Sequence, residues 1–221
     1  MKIRSLILAF IIISVNCKIL SAQTSKGKFL IGELSYIELL GNGVLGSANL
    51  GYSTFQNKSD GDNDNDKDKM FSINIVPRAG YFVINNLAIG LDVLLATEKV
   101  TSGGDVDYTY NSTLFAVGPF VRYYVPTKKV LPFAEVNYSM GSRTYTSEFA
   151  GNEPNTDKYA IKLYGAGLGL AVPIGEKVSF DIVAGYHTYV NKDKEDNEDN
   201  ERFVAGTIGL KFGFMVFLGP N

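Results

Sequence analysis

Residues 70–95 read MFSINIVPRAGYFVINNLAIGLDVLL, and this stretch decides the fold class. Apolar residues alternate with polar or small ones on both sides of Asn85-Asn86, a pair typical of a tight turn between two strands. After the turn, Gly90 and Asp92 share one row, and the other row is apolar: Leu87, Ile89, Leu91, Val93 and Leu95. A period of two residues is that of a β-strand, so the stretch predicts a β-hairpin.

The same alternation continues along the chain, and its interruptions are of two kinds that alternate strictly. Four interruptions are long and polar: 57–69, 99–112, 146–158 and 191–202. Three are short: 85–86, 127–129 and 175–177. An outer-membrane barrel has such short periplasmic turns and longer external loops. The chain is therefore predicted to be an all-β, eight-stranded antiparallel up-and-down transmembrane β-barrel, with strands 44–56, 70–84, 87–98, 112–125, 130–145, 159–173, 178–190 and 203–218.

The stretch 29–40 fits this scheme less simply. We expect it to extend the first strand or to lie against the barrel as a periplasmic segment, within an N-terminal segment 23–43 that precedes a barrel domain at 44–218. The alternative is a ninth strand joined through Gly41-Asn42-Gly43, a good hairpin turn. A ninth strand would place the mature N-terminus on the outer side, which disfavours it.

The first residues have the form of a cleaved signal peptide, predicted at 1–22. An apolar run from Leu6 to Val15 follows Lys2 and Arg4, and it is about half the length that a spanning helix needs. Cys17, the single cysteine, lies within this leader. Cleavage before Cys17 to give a lipoprotein is the alternative, which Asn16 disfavours because a small residue is expected there.

Composition sets the broad class. With 45% apolar and 20% charged residues, the chain is too apolar for disorder and too polar for a bundle of membrane helices. Its formal net charge is −2, and removal of the leader with its three basic residues makes it about −5. This charge gives no reason to expect nucleic-acid binding.

Glycines and charges share one row of the strand pattern, and bulky apolar residues share the other. The lumen of an eight-stranded barrel is barely wide enough for side chains, so we expect the glycines and charges to face inward. The glycines of this row are Gly80, Gly90, Gly118, Gly141, Gly165, Gly167, Gly169, Gly185, Gly209 and Gly213.

Opposite charges also fall across from each other when the hairpins are centred on their turns. The predicted lumen pairs are Arg78 with Asp92, Arg122 with Glu135, and Asp181 with Lys211. Charges that are buried in the lumen have to be paired with opposite charges, because an unpaired charge in a narrow lumen is very costly. The opposite assignment, with the charges outside, would describe a soluble barrel.

Several segments resemble a known family. Ile89-Gly90-Leu91, residues 117–124 (VGPFVRYY), 131–135 (LPFAE) and 165–169 (GAGLG) are similar to the small bacterial outer-membrane β-barrel proteins of the OmpA/OmpX-like porin superfamily. The resemblance implies a multi-pass barrel in the bacterial outer membrane, in contact with outer-membrane lipid.

The last strand adds a more specific likeness. It is similar to the C-terminal signal that the barrel-assembly machinery reads, which implies a transient contact with that machinery. The matching residues are Lys211, Gly213, Val216 and Leu218. The chain departs from the usual signal by ending in Gly219-Pro220-Asn221 rather than in an aromatic residue.

Residues for catalysis or metal binding are scarce, so we expect no enzyme activity and no cofactor. His187 is the single histidine, and Thr188-Tyr189 follow it where the small barrel esterases have a His-x-Ser arrangement. We expect His187 to be a structural residue in the lumen. Without a cysteine in the mature chain or a second histidine, no transition-metal site is expected.

An acidic loop resembles a calcium site in composition alone, through Asp60, Asp62, Asp64, Asp66 and Asp68. Counted from Asp60, an EF-hand needs glycine where Asn65 stands and glutamate where Phe71 stands. A weak divalent-cation site is one interpretation, and a solvated loop tip is the preferred one.

The expected role is structural or surface-interacting, with a charge-paired and largely closed lumen. An extracellular ligand would be contacted through the loops 57–69, 99–112, 146–158 and 191–202. The alternatives are a narrow porin-like conduit for small solutes and a soluble lipocalin-like ligand carrier, which requires the two faces to be reversed.

Overall fold

The computed structural model describes residues 23–40, 49–56, 67–103, 108–195 and 197–219, so the predicted leader lies outside the described residues. Ten strand segments occur within them: β1 (Phe29–Leu40), β2 (Asn49–Phe55), β3 (Asp68–Ile75), β4 (Pro77–Ile84), β5 (Leu87–Thr101), β6 (Tyr108–Tyr124), β7 (Leu131–Phe149), β8 (Asn155–Pro173), β9 (Val178–Asp193) and β10 (Phe203–Leu218). Among the described residues, no helix is long and apolar enough to cross a membrane.

The segments form one closed antiparallel barrel. From β4 to β10 each segment pairs with the next along the chain, and β10 then pairs with β1, which also pairs with β4. Phe29 of β1 accordingly lies opposite both Leu218 and Tyr81. We call each complete strand of the barrel a wall strand. β1 and β2 together form one wall strand, and β3 and β4 together form the next, so the ten segments make eight wall strands. The predicted fold class is confirmed.

The first wall strand begins earlier than predicted. Residues 29–40 are part of the barrel wall and close it against β10, so the barrel starts at Phe29 and not at residue 44. Of the predicted alternatives, the extension of the first strand describes this arrangement. The proposed ninth-strand turn at residues 41–43 lies outside the described residues.

The second wall strand, predicted as continuous over 70–84, is interrupted at Val76. Pro77 has no N–H to donate to a neighbouring strand, and it lies opposite Glu33 at the last paired position of β1 and β4. The Val76 N–H donates instead to the Glu33 side chain, with 3.3 Å between N and Oε1. Glu33 thus satisfies a backbone group at the point where β1 leaves β4.

Several strands extend further toward the long loops than predicted. β7 and β8 each have 19 residues, whereas a tilted transmembrane strand needs about 9–11. The connection predicted at 146–158 is shortened to residues 150–154. Polar residues on both faces look like a loop in the sequence, but backbone pairing between β7 and β8 continues through them. We call the end of the barrel with the long connections the loop end, and the end with the short turns the turn end.

The two faces of the wall differ as predicted. Inward-facing Arg122 and Asp181 are both 0% exposed, while outward-facing Leu91 is 55% and Leu168 is 72% exposed. Large apolar side chains on the outside suit contact with lipid, which confirms the inward assignment of the charges. The reversed arrangement, which a soluble carrier would need, is excluded.

Candidate functional site

Six charged side chains meet in the lumen and form what we call the charged layer: Arg78, Asp92, Arg122, Glu135, Asp181 and Lys211. They come from β4, β5, β6, β7, β9 and β10, so the layer connects most of the barrel wall. Each side chain is at most 5% exposed. Three cations face three anions, and the layer is formally neutral.

Arg78 and Asp92 lie opposite each other on β4 and β5 and form a two-pronged pair. The Arg78 Nε donates to Asp92 Oδ1 at 2.8 Å, and its Nη2 donates to Oδ2 at 2.9 Å. The third nitrogen, Nη1, donates to Glu135 Oε2 at 2.6 Å on the far wall. Arg78 therefore links two carboxylates that the sequence analysis had not joined.

Glu135 is the centre of the layer. Its Oε2 accepts from Arg122 Nε at 2.8 Å as well as from Arg78, and its Oε1 lies 3.6 Å from Lys211 Nζ. One carboxylate thus faces all three cations of the layer. Arg122 and Glu135 also lie opposite each other on β6 and β7, as the turn-centred register places them.

The predicted pairing of Asp181 with Lys211 is wrong. Asp181 lies opposite Gly213, and Lys211 lies opposite Val183, so the register differs from the predicted one by two residues. Asp181 Oδ2 accepts from Arg122 Nη1 at 2.5 Å, and its Oδ1 accepts from the Ser179 hydroxyl at 2.6 Å. A shift of two residues keeps both side chains in the lumen but changes their partners.

Aromatic rings pack against the charged layer. The guanidinium carbon of Arg78 lies 4.1 Å from the centre of the Phe120 ring, and that of Arg122 lies 4.0 Å from the centre of the Phe133 ring. These are distances at which a cation is attracted to a ring face. Toward the turn end follow more buried apolar side chains: Leu30, Phe82, Tyr124, Leu131 and Phe217.

The row of inward glycines makes room for these rings. A Cβ placed on Gly169 would lie 2.6 Å from Cε2 of Phe133, too close for a real contact. A Cβ on Gly80 would lie 2.9 Å from the Phe120 ring. The glycines of the lumen therefore allow bulky rings to fill a narrow barrel.

His187 also faces the lumen, on the loop side of the charged layer, and is 5% exposed. It lies opposite Thr207 on β10 and Gly165 on β8. A Cβ on Gly165 would overlap the imidazole ring, so the absence of a side chain there makes space for the histidine. The surroundings are those of a packed interior residue.

The remaining predicted residues are separated from this site. Asp60, Asp62, Asp64 and Asp66 lie outside the described residues, and Asp68 lies in β3, where its Oδ1 accepts a hydrogen bond from the Gly103 N–H at 3.2 Å. Of the predicted assembly signal, Lys211 and Gly213 face the lumen, whereas Val216 and Leu218 lie on the opposite, outward row of β10.

The sequence analysis missed a second cluster, at the loop end of the lumen, which we call the mouth cluster: Tyr110, Arg143, Tyr145, Tyr159 and Tyr189. The rings of Tyr110 and Tyr145 have centres 6.0 Å apart, and those of Tyr145 and Tyr159 have centres 5.5 Å apart. Tyrosines recurring on the inward row of β6 to β9 were the available signal. Only Tyr110 lies outside the predicted strands, whereas Tyr145 and Tyr159 are terminal residues of the predicted strands 130–145 and 159–173. The sequence analysis therefore did not join these tyrosines into one cluster.

Comparison with known proteins agrees with this architecture. A family model described as outer membrane protein beta-barrel domain matches residues 38–215. The chain belongs to this family. Membership in this family indicates that the protein is located in the bacterial outer membrane. No curated protein matches the chain significantly.

Solved structures with a similar fold include small barrels of other bacteria. Neisserial surface protein A has 18% identity and a TM-score of 0.42, with 86% of this chain and 97% of that chain covered. The outer membrane protein OprG from Pseudomonas aeruginosa has 14% identity and a TM-score of 0.40, with 90% and 99% covered. Ail of Yersinia pestis, solved with a heparin analogue, has 11% identity and a TM-score of 0.43, with 87% and 99% covered.

Proposed function

We propose that this outer-membrane barrel is not an enzyme, has a closed lumen and acts through the surface at its loop end. The charged layer is the observation that carries the proposal. Its side chains bridge opposite walls, for example from Arg78 on β4 to Glu135 on β7. A solute crossing the lumen would have to break several charge-assisted hydrogen bonds in a poorly solvated site, which is costly.

The packing on the turn side of the layer supports closure further. The Tyr124 and Phe133 rings have centres 5.3 Å apart, and those of Phe82 and Phe217 have centres 6.2 Å apart. These side chains are at most 3% exposed. A path would have to displace this apolar packing as well as the charges.

The position of His187 supports a role without catalysis. A catalytic histidine needs a nucleophile beside it and a route by which substrate reaches it. His187 lies between the charged layer and the buried side chains Leu163 and Tyr189. Substrate would have to enter a packed interior to meet it.

The loop end is then the part of the protein that is free to interact. β7 and β8 project past the length that a membrane requires, and the chain from Glu148 to Asn155 is exposed. Outer-membrane lipid would contact the outward apolar row, and the assembly machinery would read β10 only during insertion. An extracellular ligand would meet the rim of the barrel and the connections around it.

Single-channel recording tests the closed lumen. The purified barrel, refolded and reconstituted in a planar lipid bilayer, should show no stable openings. The inward Tyr124 and its outward neighbour Tyr123 provide matched variants, because they are adjacent in β6 but are 0% and 48% exposed. Tyr124→Ala should produce brief openings more often than Tyr123→Ala, since it removes packing from the lumen. Stable openings of the unchanged protein would contradict the proposal and favour the solute conduit.

A further inference from the structure

We propose that the mouth cluster binds a neutral glycan, a chain of uncharged hexose units, at the loop end of the lumen. The inference rests on the proposed surface role and names the class of ligand that this role would serve. Four tyrosines and one arginine carry it, together with the polar groups that surround them.

The register places the mouth cluster on the inward face. Arg143 of β7 lies opposite Leu114 and Tyr159, and Tyr189 lies opposite Leu163. Leu114 and Leu163 are buried in the lumen, so their register partners face the same interior. Tyr110, Tyr145 and Tyr159 are partly exposed, whereas Tyr189 below them is 3% exposed.

The rings are held in a fixed arrangement. Tyr110 and Tyr145 are stacked with an interplanar angle of 28°, and Tyr159 meets Tyr145 edge-on at 78°. The Arg143 guanidinium lies 5.1 Å from the centre of the Tyr145 ring, and its Nε donates to the Ser112 hydroxyl at 3.2 Å. Rings held by one another and by an arginine form a preorganised surface, which lowers the entropic cost of binding.

The floor of the mouth contains buried polar atoms. Within the described residues, the Tyr189 hydroxyl and the Asn191 side-chain oxygen make no hydrogen bond of good geometry, although Arg143 makes a polar contact with Tyr189. Buried polar groups without such partners are costly, so they favour a ligand or water that supplies the missing bonds. A ligand rich in hydroxyl groups can donate to both oxygens.

Charge around the mouth decides between ligand classes. Glu98, Asp157 and Asp193 share the inward row with Ser112, Tyr145 and Tyr159, their register partners. These three carboxylates together carry more charge than the Arg143 guanidinium, and this excess of negative charge disfavours a strongly anionic ligand. A cation is disfavoured at the centre of the cluster, because Arg143 already lies against the Tyr145 ring.

A neutral sugar chain fits these constraints. One face of a hexose ring is formed by C–H groups, which pack on a tyrosine ring as apolar surface does. Its hydroxyl groups donate to carboxylate, amide and phenol oxygens and accept from a guanidinium. Ring surface and polar groups therefore occur together in the mouth in the combination that a sugar needs.

Isothermal titration calorimetry with the full barrel in phosphatidylcholine nanodiscs tests the proposal. Maltoheptaose and a panel of other neutral oligosaccharides should include a binder, while the sulfated form of the same oligosaccharide should bind more weakly. Tyr145→Leu and Tyr159→Leu should each weaken binding about three- to tenfold, through loss of ring contact. Tyr138→Leu is the matched control, since Tyr138 pairs with Tyr164 on the outward face and should leave binding unchanged.

A second arm distinguishes a soluble glycan from the sugar chain of lipopolysaccharide in the same membrane. Nanodiscs that also contain long-chain lipopolysaccharide should bind the added oligosaccharide more weakly if that lipid's own sugar occupies the mouth. Truncated lipopolysaccharide should not have this effect. Equal binding in both preparations would assign the mouth to a glycan from solution.

Two results would overturn the inference. One is that no neutral oligosaccharide binds, or that binding is the same in Tyr145→Leu, with each variant shown to be folded by its heat-dependent gel mobility. The other is preferential binding of the sulfated form that Arg143→Gln abolishes. Either result leaves the closed lumen standing, whereas stable conductance would contradict the proposed function whether or not glycan binds.

Discussion

The two halves of the lumen use polar side chains in different ways. In the turn half, the charged layer is at most 5% exposed and its cations and anions pair across the barrel. In the loop half, Arg143 packs against a partly exposed Tyr145 and donates to Ser112. The first arrangement resists the entry of water or solute, and the second presents polar groups and rings to the outside. Inward-facing charge therefore closes the barrel at one depth and favours contact with a ligand at another.

The largest expected effect is that of removing Arg122. Arg122→Ala takes the guanidinium away from both Glu135 and Asp181, which stay buried. Loss of one partner from a buried ion pair costs about 3–5 kcal/mol because the other charge stays uncompensated. Urea unfolding of the refolded barrel in detergent, followed by circular dichroism, should show this loss in the free energy of unfolding.

A control at the loop end makes the contrast sharper. Lys158 and Glu195 form an ion pair at 3.7 Å with side chains 56% and 57% exposed. Lys158→Ala should cost at most about 1 kcal/mol, because water screens such a pair. If Arg122→Ala proved as mild as Lys158→Ala, the two halves would not differ as described.

The next effect concerns the two faces of the wall. Leu91→Arg places a charge on the outward row of β5, where Leu91 is 55% exposed. A lipid-facing arginine near the middle of the membrane should reduce the free energy of unfolding by about 2–4 kcal/mol in lipid vesicles. Asn111→Arg, on the outward row at the loop end of β6, should cost only about 0–1 kcal/mol. Equal costs at the two positions would mean that the membrane does not cover Leu91.

The smallest effect tests how the charged layer is connected. A double-mutant cycle with Arg122→Ala and Asp181→Asn should give a coupling of about 1 kcal/mol or more, because the two groups share a hydrogen bond. The cycle with Asp181→Asn and Lys211→Met should give a smaller coupling, since Lys211 Nζ lies 3.6 Å from Glu135 Oε1 and Asp181 bonds to Arg122. A larger coupling for Asp181 with Lys211 would favour the register that the loop-centred alignment had predicted.

The inward and outward rows could be predicted because strand alternation fixes them directly. Register could be predicted where the turn is short. Asn85-Asn86 leaves little freedom between β4 and β5, and Arg78 lies opposite Asp92. Between β9 and β10 the connection is longer, and moving its centre by one residue changes the pairing by two residues. Such a shift leaves every side chain on its own face, so the hydrophobic pattern could not reveal that Asp181 lies opposite Gly213.

The role of 29–40 was harder to predict because Glu33 interrupts its outward row. Phe29 and Ile31 continue the lipid-facing pattern, and Glu33 and Ser35 do not. The structure gives the reason at Glu33, whose carboxylate accepts the Val76 N–H beside Pro77. That requirement arises from a strand more than forty residues away, which a local pattern does not contain.

Barrel closure through β1 and β10 has a consequence for how the protein folds. The pairs from Phe29 with Leu218 to Leu40 with Ile208 join the first and last strands of the barrel. Contacts between such distant parts of a chain are slow to form, because a long loop must close before they contribute any stability. Translation has to reach the last strand before any of these pairs can exist. The ring can therefore close only once β10 has been made, and until then both of its edge strands require protection from aggregation.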